Sequence, residues 1–400
     1  MDFDVTRVRR AFPALELGVA HFDGPGGSQV PRVVAEAVAT TMTAGLSNRG
    51  TVTDAEQRAD AVVRTARSAV ADLLGADADG VVFARSMTQA TFDLARTLAA
   101  GWSPGDEVVV TRLDHDANIR PWVLAAERAG AAVRWADFDR ETGDLGVSDV
   151  EAVLSDRTRL VAVTGASNLL GTCPDVAAIA ASAHEVGALV HVDGVHLTPH
   201  APVDVGALGA DFFACSPYKF FGPHLGATVA EPGLWAQLEP AKLLPSSNTV
   251  PERFELGTLP YELLAGTTAA VEFIANLAAP PAGSRRERLV ASMTAAEEHE
   301  KRLFGGLLER LGATKGVTLH GAPRRRTPTA LFSVTGHTPA EVHAALAAQG
   351  VNAPGGSFYA IEASRWLGLG DTGAVRVGLA PYTDSEDVDR LVRAVEQVAR

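Results

Sequence analysis

Between about residues 54 and 230 the apolar positions alternate between two periods. After Asp54, the residues Val62, Val63, Ala66, Val70, Leu73 and Leu74 recur at helical spacing and stop at Gly75, which predicts a helix capped by Asp54. Short continuous apolar runs follow: Val81-Val82-Phe83, Val108-Val109-Val110, Leu160-Val161-Ala162-Val163 and Leu189-Val190-His191-Val192. Such runs, without polar alternation, predict strands buried on both faces. Helical stretches at 88–100, 119–130 and 174–187 separate several of them. Strands alternating with helices predict an α/β domain built on a mostly parallel sheet with helices on both faces. Sheets of this kind take ligands at the carboxyl ends of their strands, which makes the residues after each run the ones to inspect.

After about residue 265 the pattern changes. Long helical stretches occupy 266–279 and 287–312, shorter strands lie near 316–320, 329–334 and 374–379, and a closing helix covers 384–399. Pro280-Pro281-Ala282-Gly283 and the 321–328 segment predict loops. The expected organisation is an N-terminal segment, 1–20, packing on the small domain, a large domain over 21–265, and a smaller α+β domain over 266–400.

Composition narrows the function. The 400 residues, 46% hydrophobic and 21% charged, supply material for more than one small core. A formal charge of -13 repels phosphate backbones and argues against a nucleic-acid partner. Two basic clusters, Arg285-Arg286-Glu287-Arg288 and Arg324-Arg325-Arg326, read as solvated charge, and Glu298-His299-Glu300 as an exposed helix face without a His-Glu-x-x-His metal pattern. No run approaches the roughly 20 apolar residues of a membrane helix, and the start of the chain, Met1-Asp2-Phe3-Asp4 to Arg9-Arg10, is charged where a signal peptide is apolar. Cys173 and Cys215 are too few for a disulfide framework, and a cytoplasmic location is expected.

Three strand ends carry candidate chemistry. The run at 189–192 ends in Asp193-Gly194, where an aspartate also serves commonly as a turn former. Asp211-Phe212-Phe213-Ala214-Cys215 leads into Ser216-Pro217-Tyr218-Lys219-Phe220-Phe221-Gly222-Pro223. A lysine in that apolar setting is expected to have a depressed pKa, as Schiff-base chemistry requires. Ser86-Met87-Thr88 opens a helix after 81–83, and a helix N-terminus offers free N–H groups to an anion, although simple capping explains a lone hydroxyl as well. Lysine, acid and anion cradle together match the needs of pyridoxal 5'-phosphate (PLP): a partner for its aldehyde, one for its ring nitrogen and one for its phosphate.

With these residues in place, the chain resembles the class V aminotransferases, in particular the cysteine desulfurase-like branch of PLP fold type I enzymes. The resemblance runs from His21-Phe22-Asp23-Gly24-Pro25-Gly26 to Val375-Arg376-Val377-Gly378. It is most specific at Val192-Asp193-Gly194-Val195-His196 and Ser216-Pro217-Tyr218-Lys219, with further matches at 114–122 and 167–172. It implies that Lys219 carries the cofactor and shuttles a proton, that Asp193 pairs with the ring nitrogen, and that His115 stacks on the ring. Asn168 and His196 would lie near the cofactor's phenolic oxygen, where relatives often have glutamine in place of His196. Thr88 and Ser216 would hold the phosphate, with Met87 in place of a common hydroxyl residue and Tyr218 beside the lysine. Thr258, in Glu255-Leu256-Gly257-Thr258, matches a threonine given to the neighbouring subunit, which implies a homodimer with shared sites. Arg376 matches the arginine that clamps a substrate carboxylate, and Gly356 and the 23–27 stretch would line the pocket.

The resemblance breaks at one place. Desulfurases carry a nucleophilic cysteine on a loop before the last strands, and here Val351-Asn352-Ala353-Pro354-Gly355-Gly356-Ser357-Phe358-Tyr359 contains none. A serine hydroxyl is hardly ionised near neutral pH and accepts sulfur poorly. The expected activity is cleavage of a carbon–sulfur or other carbon–heteroatom bond of an amino acid through a Cα carbanion. Aminotransfer or epimerisation on the same scaffold, and a non-catalytic PLP-binding protein, are the alternatives.

Overall fold

In the computed structural model, which describes residues 3–278 and 282–400, a seven-stranded sheet forms the centre of the molecule. Met1 and Asp2, and Ala279, Pro280 and Pro281 of the expected helix end and loop, lie outside the described residues. The strand order is Val81–Ala84, Gly226–Val229, Phe212–Cys215, Leu189–Asp193, Thr158–Thr164, Glu107–Thr111 and Ala132–Ala136. From Phe212–Cys215 to Ala132–Ala136 every pairing is parallel, whereas Gly226–Val229 runs antiparallel to both neighbours. Adjacent residues of one strand serve opposite faces: Val82, Val108, Val110 and Leu160 pack under helix Arg120–Ala129, while Val81, Phe83, Val109 and Val161 join the core beneath helix Asp54–Leu74. Full burial of each such side chain contributes roughly 1.5–3 kcal/mol, which outweighs the intrinsic preference of any single position.

The Asp54–Leu74 helix differs from expectation at its start. Thr53 is the cap, in a reciprocal capping box with Glu56, and Asp54 is the first helical residue. Gly75 closes it at φ 65°, as the sequence predicts. Two strands escape the apolar-run pattern. Ala132–Ala136 is an edge strand with alternating exposure, and Gly226–Val229 is a short run between turns.

A second, antiparallel sheet orders Gly355–Gly356, Ala374–Gly378, Thr329–Val334 and Val317–His320. Helices Arg285–Ala313 and Ser385–Val398 cover it through Phe304, Leu307, Leu391 and Val395. The short strand Ala20–His21 pairs in parallel with Val351–Asn352, so the chain enters beside this second unit. Residue 265, the expected boundary, falls inside helix Tyr261–Ala275, which packs against helices Arg32–Met42 and Asp54–Leu74. In the N-terminal segment Arg9 pairs with Asp384 at 3.0 Å and Asp387 at 2.6 Å, while Phe12 packs on both Tyr382 and Phe221.

Two surface expectations are corrected. His299 and Glu300 are buried rather than exposed, because that turn of the long helix faces the interior. The basic clusters are partly structural: Arg285 binds Asp72 and Glu272, and Arg326 donates to the carbonyls of Leu170 and Thr329.

Candidate active site

The parallel register brings the carboxyl ends of the central strands to one level, with Thr164 beside Asp193 and Asp193 beside Ala214. A cavity of about 670 Å³ opens there. Its lining includes Met87, Thr88, His115, Asn168, Asp193, His196, Ser216, Tyr218, Lys219 and Arg376. One residue expected to line the pocket is not in that lining. Gly356 lies in a short strand opposite Ala374, and Pro354, Phe358 and Tyr359 take the place expected for it. Thr258 is exposed, away from this chain's cleft.

Lys219 ends a one-turn 3-10 helix, Pro217–Lys219, that begins where strand Phe212–Cys215 stops. Pro217 fixes the first dihedral of that turn, and Phe221 beyond it adopts φ 70°. The Lys219 Nζ donates to the carbonyl of Pro25 and lies 5.0 Å from the Tyr218 ring centroid. Burial pushes its amine down to about 7, helped by the Arg376 guanidinium, while Asp23 and Asp193 act in the opposite sense. Asp193 accepts a 3.0 Å hydrogen bond from the Val195 N–H, and burial pushes its carboxyl up to about 6. The cleft thus presents both an amine that titrates near neutrality and a buried acid.

His115 accepts from the Ala117 N–H at Nδ1, 3.0 Å away, which leaves Nε2 as the protonated nitrogen of a neutral ring. Burial, then the charges of Lys219 and Arg376, push its pKa down to about 4 and keep it neutral. Behind it lies a network that sequence reading passed over. Asp114 accepts from Thr111 and Asn118, and the Asn118 oxygen accepts from Trp122 and His191. The only signal for it was Asp114-His115 and Asn118 at fixed spacing within a recognised motif.

Arg376 sits on strand Ala374–Gly378 and is almost fully buried. Its Nη2 donates to Asp23 at 2.6 Å, its Nη1 to the Asn168 carbonyl at 3.1 Å, and the Phe358 ring lies 3.8 Å away. The Asn168 side chain donates to the Phe358 carbonyl at 2.9 Å. Asp23 was expected in the pocket wall, but nothing in the sequence marked it as the partner of Arg376.

Ser86 spends its hydroxyl on the Gln89 N–H, 3.1 Å away, so the anion-binding groups left at this helix start are backbone amides and Thr88. Gly226 makes the cradle possible, since a Cβ there would lie 2.2 Å from the Met87 nitrogen. The fit to PLP rests on unpartnered atoms. Asn168 Oδ1, His196 Nδ1 and Arg376 Nε are buried without a hydrogen-bond partner, and all three residues line the cleft. Buried polar atoms are rarely left so in folded proteins, and three of them on residues of one cleft fit a polar guest. Lys219, Asp193 and the cradle supply the donor set such a guest needs.

The chain is similar along its length to several known proteins. The chain is 39% identical to an uncharacterized Mycobacterium tuberculosis protein, with 99% of each covered. It is 34% identical to an aminotransferase-like protein, FGM3, of Gibberella zeae, covering 99% of this chain and 98% of that one. It is also 30% identical to a cysteine desulfurase of Yersinia pestis, over 100% and 99% of the two chains. Among solved structures, the apo cysteine desulfurase of Thermococcus onnurineus superposes with TM-score 0.90 at 26% identity, covering 100% of this chain and 98% of that one. The fold is therefore that of PLP fold type I. The profile of Aminotransferase class-V matches residues 20–391, and the chain belongs to that family as a PLP-dependent enzyme related to the cysteine desulfurases.

Proposed function

We propose that this enzyme cleaves a carbon–sulfur or other carbon–heteroatom bond at the β-carbon of an amino acid, without forming a persulfide on the protein. The carrying observation is the loop that closes the cleft: it offers Phe358 and Tyr359, and no thiol. Cys173 and Cys215 lie outside the cleft lining, and burial pushes their thiols up to about 11 and 12, out of reach of a thiolate at neutral pH.

Bound PLP supplies an electron sink for a carbanion at the substrate's α-carbon. Lys219 would hold it covalently and then move a proton at Nζ, a task suited to an amine near neutrality. Asp193 would keep the ring nitrogen protonated, and Thr88 and Ser216 would hold the phosphate. His115 would cover the ring as a neutral imidazole that donates from Nε2. Arg376 would orient the substrate carboxylate, which a planar guanidinium suits. The Phe358–Tyr359 wall would exclude water from the reacting atoms.

Thr258 would serve a neighbouring subunit in a homodimer, a reading supported by its exposure and by that of Leu256 two residues before it. A cytoplasmic location fits two free cysteines. Among the described residues no helix is long and apolar enough to cross a membrane.

The test is a spectral screen of the holoenzyme against amino acids, with product identification by mass spectrometry. Release of a keto acid and ammonia without an added acceptor supports cleavage, and it should survive Cys173→Ala/Cys215→Ala. Turnover that needs a keto-acid acceptor means aminotransfer, and inversion without release means epimerisation. Either result overturns the proposal.

A further inference from the structure

The segment from Ser357 to Trp366 belongs to the second unit by sequence, yet it is fastened to the first. It leaves strand Gly355–Gly356, lines the cleft with Phe358 and Tyr359, forms helix Ile361–Trp366 and returns to strand Ala374–Gly378. Those two strands pair with each other in the second sheet. Between them the grip comes from the other unit. The Asn168 side chain donates to the Phe358 carbonyl at 2.9 Å, and the Asp116 N–H donates to the Tyr359 carbonyl at 2.7 Å.

A further set of contacts, centred on Arg112, lies outside the cleft lining and holds the helix. Arg112 directly follows strand Glu107–Thr111. Its Nε donates to Asp137 at 2.6 Å and its Nη1 to Glu362 at 3.0 Å. Its guanidinium carbon lies 4.8 Å from the Trp135 ring centroid and 5.3 Å from that of Trp366. The Trp366 indole N–H donates to the Phe138 carbonyl at 2.8 Å, and Arg120 adds a longer contact to Glu362 at 3.7 Å. Trp135, Asp137 and Phe138 lie on or just after strand Ala132–Ala136, whereas Glu362 and Trp366 belong to the helix.

An isolated surface ion pair contributes little, because solvent screens it and two long side chains must be ordered. Arg112 differs. One planar fork joins two carboxylates and lies against two indole rings, with its side chain only 28% exposed. The turn it supports needs such a fastening. Phe358 and Tyr359 are consecutive non-glycine residues in the left-handed region, at φ 54° and 58°, a backbone that persists only where surrounding contacts impose it. The six-residue helix that follows is also too short to be stable on its own.

We infer that Arg112 is a positioning residue of the cleft. It locks helix Ile361–Trp366 onto the ends of strands Glu107–Thr111 and Ala132–Ala136, and so makes the Phe358–Tyr359 turn a standing wall rather than a lid that opens in each turnover. The inference rests on the reading above that this turn shields the reacting atoms.

Two rates test this: amide hydrogen exchange of the cofactor-free protein, and bleaching of the holoenzyme's aldimine band by hydroxylamine. Hydroxylamine is a small nucleophile, so its rate reports access to the cleft. In the wild type the amides of 358–366 should be protected. Arg112→Ala should speed their exchange about tenfold, the scale of one lost hydrogen bond to a charged group, and leave the central strands unchanged. Bleaching should quicken severalfold in the same variant. Glu362→Ala should do both from the helix side, while Glu362→Gln, which keeps an acceptor for Arg112, should stay near wild type. A wild type whose 358–366 amides exchange like a free peptide overturns the inference without any variant. A folded Arg112→Ala that matches wild type in both rates also overturns it, and Glu362→Ala decides on the same rates if Arg112→Ala does not fold. Faster exchange with unchanged bleaching would leave Arg112 a fastener of the helix alone and overturn the wall. A holoenzyme without an aldimine band overturns only the cofactor reading, because the exchange arm needs no cofactor.

Discussion

Asp23 and Arg376 meet across the second unit's contact with the cleft, Nη2 of the arginine donating to a carboxylate oxygen at 2.6 Å. The arginine is buried and the aspartate partly exposed, so the aspartate supplies the counter-charge that a desolvated guanidinium requires. Asp23→Asn keeps the shape and removes that charge. Folding stability should fall by about 2 kcal/mol, less than for a fully enclosed pair because one partner reaches solvent. Urea unfolding of the cofactor-free protein reads this directly, and an unchanged midpoint would show that the charge is balanced elsewhere.

The pH dependence of cofactor capture follows from the Lys219 amine, whose pKa burial pushes down to about 7. Only the unprotonated amine attacks an aldehyde, and its fraction grows as pH rises through that value. The rate of PLP uptake by the cofactor-free protein should therefore climb between pH 6 and pH 8 and then level, about tenfold in all. A rate still rising at pH 10 would mean an unshifted lysine.

Lys219→Ala should lose the visible absorbance of covalently held PLP while retaining weaker, non-covalent binding through the phosphate cradle. Dialysis should then remove the cofactor from the variant but not from the wild type. Retention of the band at equal intensity would place the covalent attachment on another lysine.

Gly226 lets its strand approach the start of helix Met87–Ala99, where an added Cβ would lie 2.2 Å from the Met87 nitrogen. Gly226→Ala must push that helix start away, at a cost of about 1–3 kcal/mol in stability. Binding of inorganic phosphate and of PLP should both weaken, because the same amides serve both. Calorimetric titration that gives wild-type affinity for both would separate the cradle from this strand.

Tyr359 holds a left-handed backbone at φ 58° beside Phe358 at φ 54°, although neither is glycine. Its side chain is 77% exposed, so little packing offsets the strain. Tyr359→Gly should cost no stability and gain up to about 1 kcal/mol. If the loop serves as a water-excluding wall, the same change should lower turnover severalfold. A variant that loses stability and keeps full turnover would contradict both statements.

Much of the molecule was legible in one dimension. Continuous apolar runs are a direct consequence of a sheet covered on both faces, so the strands ending at Asp193 and before Lys219 declared themselves, and Gly75 marked the end of its helix. The edge strand Ala132–Ala136 and the short Gly226–Val229 did not, because neither carries a run long enough to set a period. Lys219 and Asp193 stood out because their residue types are costly beside apolar strands, and His115 through the family resemblance at 114–122. What sequence alone left open is the pairing of groups far apart in the chain. Asp23 against Arg376, Thr329 against His196, and Glu300 behind His200 are contacts across a hundred positions or more. Periodicity reports only which side of its own element a residue occupies. The partner that decides a buried group's charge or tautomer is chosen by packing, and so appears only when the chain has folded.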